Sequence, residues 1–268
     1  MATVIVYRSR SASYAAQRVA KAAPNLRAVQ EDSYRPQTGD RTVVRWDCYK
    51  NLPSVNANDI NPADAVQRVR NKRESRRVLA ELAPQTWFDK ASIQVPCVIR
   101  PKQHKAGRKF FVVRAMNKVL SAVKRCGPGW YASRLINKRR EFRVFVVRGR
   151  VVAVSERFPG NSTAIAWNLA LGGRLINVAR PEWPVPVLRA SIEAMRRLGL
   201  GFGAVDAALD DAGNPVIFES NTSPALRNKF TIKQIAKGLA WTGEIKPIKD
   251  GASKARSYAH PAVLKEGE

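Results

Sequence analysis

Three observations predict a mixed α/β (α+β) fold. Short strand-like runs alternate with helical stretches along the chain, and two turn signals each join a pair of alternating runs into an antiparallel hairpin. Apolar residues fill 45% of 268 positions, enough to build a core rather than a disordered chain. No apolar run approaches the roughly 20 residues that span a bilayer. Met1 to Arg10 alternates as a strand instead of forming the apolar centre of a leader. A soluble, cytoplasmic chain without a membrane partner is expected. Cys48, Cys97 and Cys126 form neither a C-x-x-C pair nor a disulfide framework, so all three are expected reduced and structural.

In chain order, TVIVY reads as a strand, RSRSAS as a polar loop and AAQRVAKAA as a helix. Val43 to Trp46 is a second strand, and the Asn, Pro and Asp residues from Asn51 to Asn61 form a loop. Asn61 followed by Pro62 has the character of an N-cap and first helical residue, with Asp64 placed favourably in the first turn. That helix is expected to reach Leu82 with a break near Asn71. VPCVIR and FFVV are strands around the loop PKQHKAGRK. AMNKVLSAVKR is a helix stopped by Gly127-Pro128-Gly129, and WYASRLI is a further strand. FRVFVV and VVAVSE flank Arg148-Gly149-Arg150, a tight-turn signal. Leu188, Ile192, Met195 and Leu198 recur on one face of a helix over Val185 to Leu198. GAVDAAL and PVIFESN are strands, Asn228 to Trp241 a helix, and the sequence beyond Pro247 a polar tail expected to fray.

Lys and Arg number 47 against 21 Asp and Glu, a formal charge of +26. Between Arg100 and Arg150 there are 16 cations and one acid, Glu141. Such a field attracts polyanions with salt-dependent affinity, or serves as a solvated face; it does not say which polyanion. No spaced Cys/His finger, RNP-type strand or basic region running into heptads accompanies it.

The segment GAVDAALDDAGNPVIFESN carries the chemistry. A symmetric turn centred between Ala212 and Gly213 sets Asp206 opposite Glu219, and the two-residue side-chain period puts Asn221 on the face of Glu219. Two carboxylates and an amide are hard oxygen donors suited to Mg²⁺ with bound phosphates. The same pattern also fits an exposed strand pair with its polar residues outward. HKAGRK offers backbone amides beside cations but lacks the P-loop pattern. Gly199, Gly201 and Ala204 nominally match a dinucleotide fingerprint but follow a helix and precede a strand, the reverse of its context. His104 and His260 lie in no zinc or nucleophile motif, which argues against hydrolytic or zinc chemistry.

The order of these pieces resembles the ATP-grasp superfamily, in particular carboxylate–amine ligases similar to the ribosomal-protein glutamate ligase (RimK-like) and D-alanine ligase. RNKRESRRVLAEL resembles the family's N-K helix, VIRPKQHKAGRKFFVV its phosphate strand and flexible loop, and EFRVFVVRGRVVAV its E-[FY]-R-V-F-V hairpin. VDAALDDAGNPVIFESNTSPAL resembles the metal hairpin ending in N-T-S-P-G. The resemblance covers roughly residues 61 to 241. It implies two α+β subdomains clasping ATP: a shortened pre-ATP domain over 1–60, an N-terminal subdomain over 61–128, a C-terminal subdomain with the metal site over 129–245, and a polar tail over 246–268.

Carried over by position, the resemblance implies that Lys72 and Arg100 contact ATP phosphates while Lys105, Gly107 and Arg108 close over them. Backbone groups of Arg134, Leu135 and Ile136 would read adenine, and Glu141 the ribose. Asp206, Glu219 and Asn221 would hold Mg²⁺, with Mn²⁺ as an alternative ion. Arg100, Arg143 and Ser223 would steady the transferred phosphoryl group or the acyl substrate. The chain departs from the family in having Arg100 for a usual Lys, Ser133 where many relatives have an acid, and Ala225 for a usual Gly; Arg and Lys place phosphates differently. The implied activity is ATP-dependent amide formation through an acyl phosphate, a reaction of placement and charge that needs no side-chain nucleophile. A small-molecule carboxylate or amine would be one substrate. The basic face suggests an acidic protein tail or a nucleic acid as the other partner. A nucleic-acid binder on the same scaffold and an ATP-grasp kinase are the competing readings.

Overall fold

The computed structural model describes residues 2–53, 59–102, 110–161, 164–167 and 172–241. The first sheet is parallel: β1 (Ala2–Tyr7) lies between β2 (Leu26–Gln30) and β3 (Asp40–Trp46), with α1 (Arg10–Ala20) crossing from β1 to β2. Helix α1 takes up most of the segment expected as a polar loop. Ser9 is extended before it, and Ala12, Ala15, Ala16 and Val19 recur at helical spacing on the buried side. Strand β2 was not anticipated, because Leu26 is its only fully buried residue and no alternation marks it. β1 reads as an unbroken apolar run because both faces are covered: Ile5 packs with α1, while Val4 and Val6 pack with Tyr34 and Cys48.

Next come α2 (Ala63–Arg70) and α3 (Lys72–Leu79), split where expected at Asn71, whose side chain accepts from the Glu74 N–H at 3.4 Å. Asn61 is not an N-cap. It sits at φ 62°, fully buried, and its side chain accepts from the Gly201 and Phe202 amides at 3.0 and 2.9 Å and donates to the Arg45 and Phe202 carbonyls. This amide ties β3 to the distant strand β11 (Phe202–Asp210), a use that only tertiary contact reveals.

The second sheet is antiparallel, ordered β4 (Thr86–Trp87), β7 (Tyr131–Arg134), β5 (Cys97–Arg100), β6 (Phe111–Val113). Helix α4 (Val119–Cys126) packs on it through Val119, Ala122 and Val123. The expected boundary at 128/129 therefore falls between α4 and β7, which share one core. Likewise α2 and α3, expected in the same subdomain as β5, pack on the third sheet.

That third sheet has five antiparallel strands, ordered β10 (Arg174–Asn177), β9 (Arg150–Phe158), β8 (Lys138–Val147), β11, β12 (Pro215–Asn221). One face, with Phe142, Val144, Val146 and Val205, packs on α2, α3 and α5 (Val185–Leu198). The alternate residues Phe145, Val147, Phe202 and Ala204 face α1 and α6 (Lys229–Ala240). There Trp46 of β3 stacks on Phe202 with ring centroids 4.5 Å apart, joining the first sheet to the third. The β8–β9 turn carries Arg148 at φ 48° and Gly149 at φ 70°, as a two-residue hairpin loop requires. Both strands run farther than their apolar stretches suggested, because ion pairs replace apolar alternation: Arg140 holds Glu156 through two hydrogen bonds of 2.7 Å. The tail over 246–268 lies outside the described residues.

Candidate active site

The face of the third sheet that meets α1 and α6 changes character along its length. Toward the β8–β9 turn it is apolar. Toward the other end the same alternation presents Glu141, Arg143 and Arg157 with Asp206, Glu219 and Asn221. Register pairs define a straight row across all five strands: Glu219 with Asp206, Asp206 with Arg143, Arg143 with Ser155, and Ser155 with Asn177. Side chains directly opposite in a sheet share a face.

Asp206 and Glu219 face each other as the sequence predicted, although the turn between them is centred half a residue earlier. Leu209 pairs with Pro215 and Ala207 with Ile217, so the loop spans Asp211 to Gly213, with Gly213 at φ 83° in the left-handed position such a loop requires. A β-bulge at Phe218 then adds one residue to β12 and restores the pairing. Gly203 is needed one residue before Ala204, the partner of Asn221. A Cβ there would lie 2.9 Å from the Asn221 carbonyl oxygen.

The charges that relieve the two acids here are the protein's own cations. Arg143 grips Asp206 with two hydrogen bonds of 2.7 and 2.8 Å, and Arg157 reaches the same carboxylate at 2.8 Å. Burial pushes the Asp206 carboxyl up, but these two guanidinium groups overcome it and leave the pKa below the ordinary Asp value. Glu219 takes a hydrogen bond from the Asn221 amide at 3.1 Å and lies 3.7 Å from Lys72 Nζ at the start of α3. Glu141 is buried, bound by Arg157 at 2.6 Å and by Lys138.

Lys138, Arg157 and Arg76 were not singled out from the sequence. Continuing the β8–β9 turn without a bulge would set Glu141 opposite Glu156, a like-charge pair. The register shift after Phe145 brings Arg157 there instead. Arg76 on α3 is buried, and burial lowers its pKa although Tyr131 and Glu219 oppose that; it also feels the charge of Arg100. Burial likewise lowers the pKa of Lys138, against the pull of Glu141.

Arg100 ends β5 with a buried Nε that has no hydrogen-bond partner. Arg134 is exposed at the end of β7, opposite Cys97 at the other end of β5. The amides of Arg134 and Leu135 already donate to the Gln85 and Pro96 carbonyls at 2.8 and 3.1 Å, which leaves their carbonyls and Ile136 for any contact with a base. Ser223 lies half-buried two residues beyond β12. Lys105, Gly107 and Arg108 lie outside the described residues.

Around Glu141, Asp206 and Glu219 stand Lys72, Arg76, Arg100, Lys138, Arg143 and Arg157, six cations against three acids. An excess of three positive charges disfavours a bare divalent ion and fits one that arrives on a polyphosphate. The hard oxygens of Asp206, Glu219 and Asn221, with the unpartnered Arg100 Nε, suit that pair of ligands. Among the described residues no group of three or more His, Cys, Asp or Glu side chains is gathered for a metal. Among them, too, no helix is long and apolar enough to cross a membrane.

No protein-family model and no curated protein matches the sequence. Solved structures do. The ATP-grasp ligase PsnB complexed with a minimal precursor superposes with a TM-score of 0.64 at 12% identity, over 89% of this chain and 98% of that one. A RiPP-associated ATP-grasp ligase from Chryseobacterium gregarium, solved with ADP and a leader and core peptide, gives 0.64 at 14% over 89% and 96%. A RimK domain ATP-grasp protein from Sphaerobacter thermophilus gives 0.58 at 15% over 88% and 99%. Three sheets in this order, with charged residues converging on one sheet face, accompany those superpositions: the chain has the ATP-grasp fold.

Proposed function

We propose that the protein is an ATP- and Mg²⁺-dependent carboxylate–amine ligase that joins an amino acid or similar small molecule to an acidic or macromolecular substrate through an acyl phosphate. The observation that carries this reading is the row Glu219, Asp206, Arg143, Ser155 across the third sheet, with Lys72 and Arg100 beside it. Support comes from the fold and from the ligands of its structural neighbours, which include ADP with Mg in one PsnB complex and AMPPNP with a precursor peptide in another.

Asp206, Glu219 and Asn221 would hold Mg²⁺, which supplies charge neutralisation at the phosphates. Lys72 and the free Nε of Arg100 would bind phosphate oxygens, while Arg134 to Ile136 and Glu141 would line the nucleoside. Lys105, Gly107 and Arg108, outside the described residues, are assigned to the phosphates by the sequence resemblance alone. Arg143 has two opposed demands, the Asp206 carboxylate and the transferred phosphoryl group. Arg143, held on Asp206 by two hydrogen bonds, would stand close enough to share its guanidinium with the charge developing on that group. Ser223 would orient the acyl substrate. The carboxylate oxygen attacks the γ-phosphorus, ADP leaves, and the amine displaces phosphate from the acyl phosphate.

Glu219→Gln keeps the side-chain shape and removes one anionic ligand. ADP release stimulated by a screen of amino acids with acidic peptides is expected to fall by at least about 100-fold in this variant. Mg²⁺-dependent ATP binding, followed by calorimetry, is expected to weaken with it. Unchanged ADP release would overturn the metal assignment, and a stable phosphorylated product without an amide would replace the ligase with a kinase.

A further inference from the structure

A second cationic site lies on the same sheet face, away from the acids. Between α6 and the edge strand β10 runs a groove of about 770 Å³ whose floor is Val147, Val151 and Val152. Its walls carry Arg148, Arg150, Arg180 and Lys237, and no carboxylate is among its described lining residues. Arg148 Nε is buried without a hydrogen-bond partner. Phe230 is 53% exposed at the rim.

We propose that this groove docks an acidic peptide segment with interspersed aliphatic residues. Four cations with no carboxylate among the described lining residues call for an anionic partner. The aliphatic floor calls for side chains rather than stacked bases. The two tryptophans in the wall are already covered by guanidinium groups, Arg150 over Trp241 at 4.7 Å and Arg180 over Trp183 at 5.6 Å. A single-stranded nucleic acid, which needs open aromatic faces, is therefore the poorer fit.

The groove and the row meet at one residue, behind which Ser155 and Thr231 are buried. Asn177 lines the groove, and its side-chain oxygen accepts from Ser155 Oγ at 2.9 Å and from Thr231 Oγ1 at 3.4 Å. From Val152 to Ser155 along β9 is about 10 Å, and from Ser155 across two strands to Asp206 about 10 Å more. Docking in this groove does not rest on the ligase reading.

The test is fluorescence anisotropy of the full-length protein with a dye-labelled peptide of repeated Glu-Glu-Leu units, without nucleotide. Binding is expected to weaken at least about tenfold in the double variant Arg180→Glu with Lys237→Glu. It is expected to hold within about twofold in Lys21→Glu with Lys124→Glu, which changes net charge equally at exposed positions outside the groove. The milder pair Arg180→Gln with Lys237→Gln, expected to lose about threefold, serves if charge reversal impairs folding. Equal losses in both charge-reversal variants, no peptide binding at low salt, or displacement of the peptide by an oligothymidylate that binds more tightly through the same residues would each overturn the proposal. None of these outcomes depends on ADP release, so failure here and failure of the ligase reading are separable.

Discussion

Burial and charge act on individual side chains here in ways that chemical probes read directly. Burial pushes the Cys48 thiol up to about 11, and the neighbouring Glu31 adds to the effect. Burial also raises the Cys97 thiol, whereas Cys126 is only half-buried. Since the thiolate is the reactive form, iodoacetamide at pH 8 is expected to label Cys126 first, with Cys48 and Cys97 protected until the protein unfolds. Peptide mapping by mass spectrometry gives the order. Prior labelling of Cys48 in the folded protein would contradict its burial. The sequence expectation of three structural cysteines rested on their spacing, while the ranking among them comes from packing.

At the level of elements, hairpins and helices were legible where apolar periodicity was strong. Helix α5 begins at Val185 and ends at Leu198, as its apolar spacing predicts. Strands β2, β4 and β10 escaped notice because they are short and alternate weakly, and the charged halves of β8 and β9 because ion pairs stand in for apolar residues. Asn61 illustrates the gap most clearly. Next to Pro62 it has the local character of a cap, yet its amide makes four hydrogen bonds to β3, β11 and the residue preceding β11. Asn61→Ala would leave buried backbone groups without partners, at a cost of about 2–4 kcal/mol. Urea denaturation followed by circular dichroism is expected to show a lower midpoint with an unchanged slope. An unchanged midpoint would remove Asn61 as the tie between the sheets.

For the whole molecule, charge dominates. A formal charge of +26 repels itself, and buried ion pairs oppose that repulsion. Asp206 and Asp40 have pKa values below the ordinary carboxylate range. Burial raises both, but Arg143 with Arg157 overcomes it for Asp206, and Arg27 with the Gln37 amide for Asp40. A carboxyl depressed on folding contributes stability that is fully present above its unfolded pKa, about 3.9, and is lost as pH falls through the folded value. Thermal melting is therefore expected to be flat with respect to these two groups from neutral pH to about 5 and to drop steeply below about 4. Asp40→Asn should flatten part of that drop, and an identical acid profile in the variant would refute its share.

The sequence by itself determined the alternation of strands and helices, the pairing of Asp206 with Glu219 and the excess of positive charge, because periodicity, turn residues and composition act over short stretches of chain. Local reasoning also reached the right carboxylate pair through a turn register that the bulge at Phe218 had to correct. Only the tertiary structure decided that Arg143 and Arg157 neutralise Asp206, that Lys72 arrives from α3, that Asn61 bridges two sheets and that a cationic groove adjoins the row. Those depend on register shifts and on contacts between residues far apart in sequence, 141 positions for Asn61 with Phe202 and more for Lys72 with Glu219. Such contacts are set by how three sheets bury their apolar faces together, information that no short window of sequence contains.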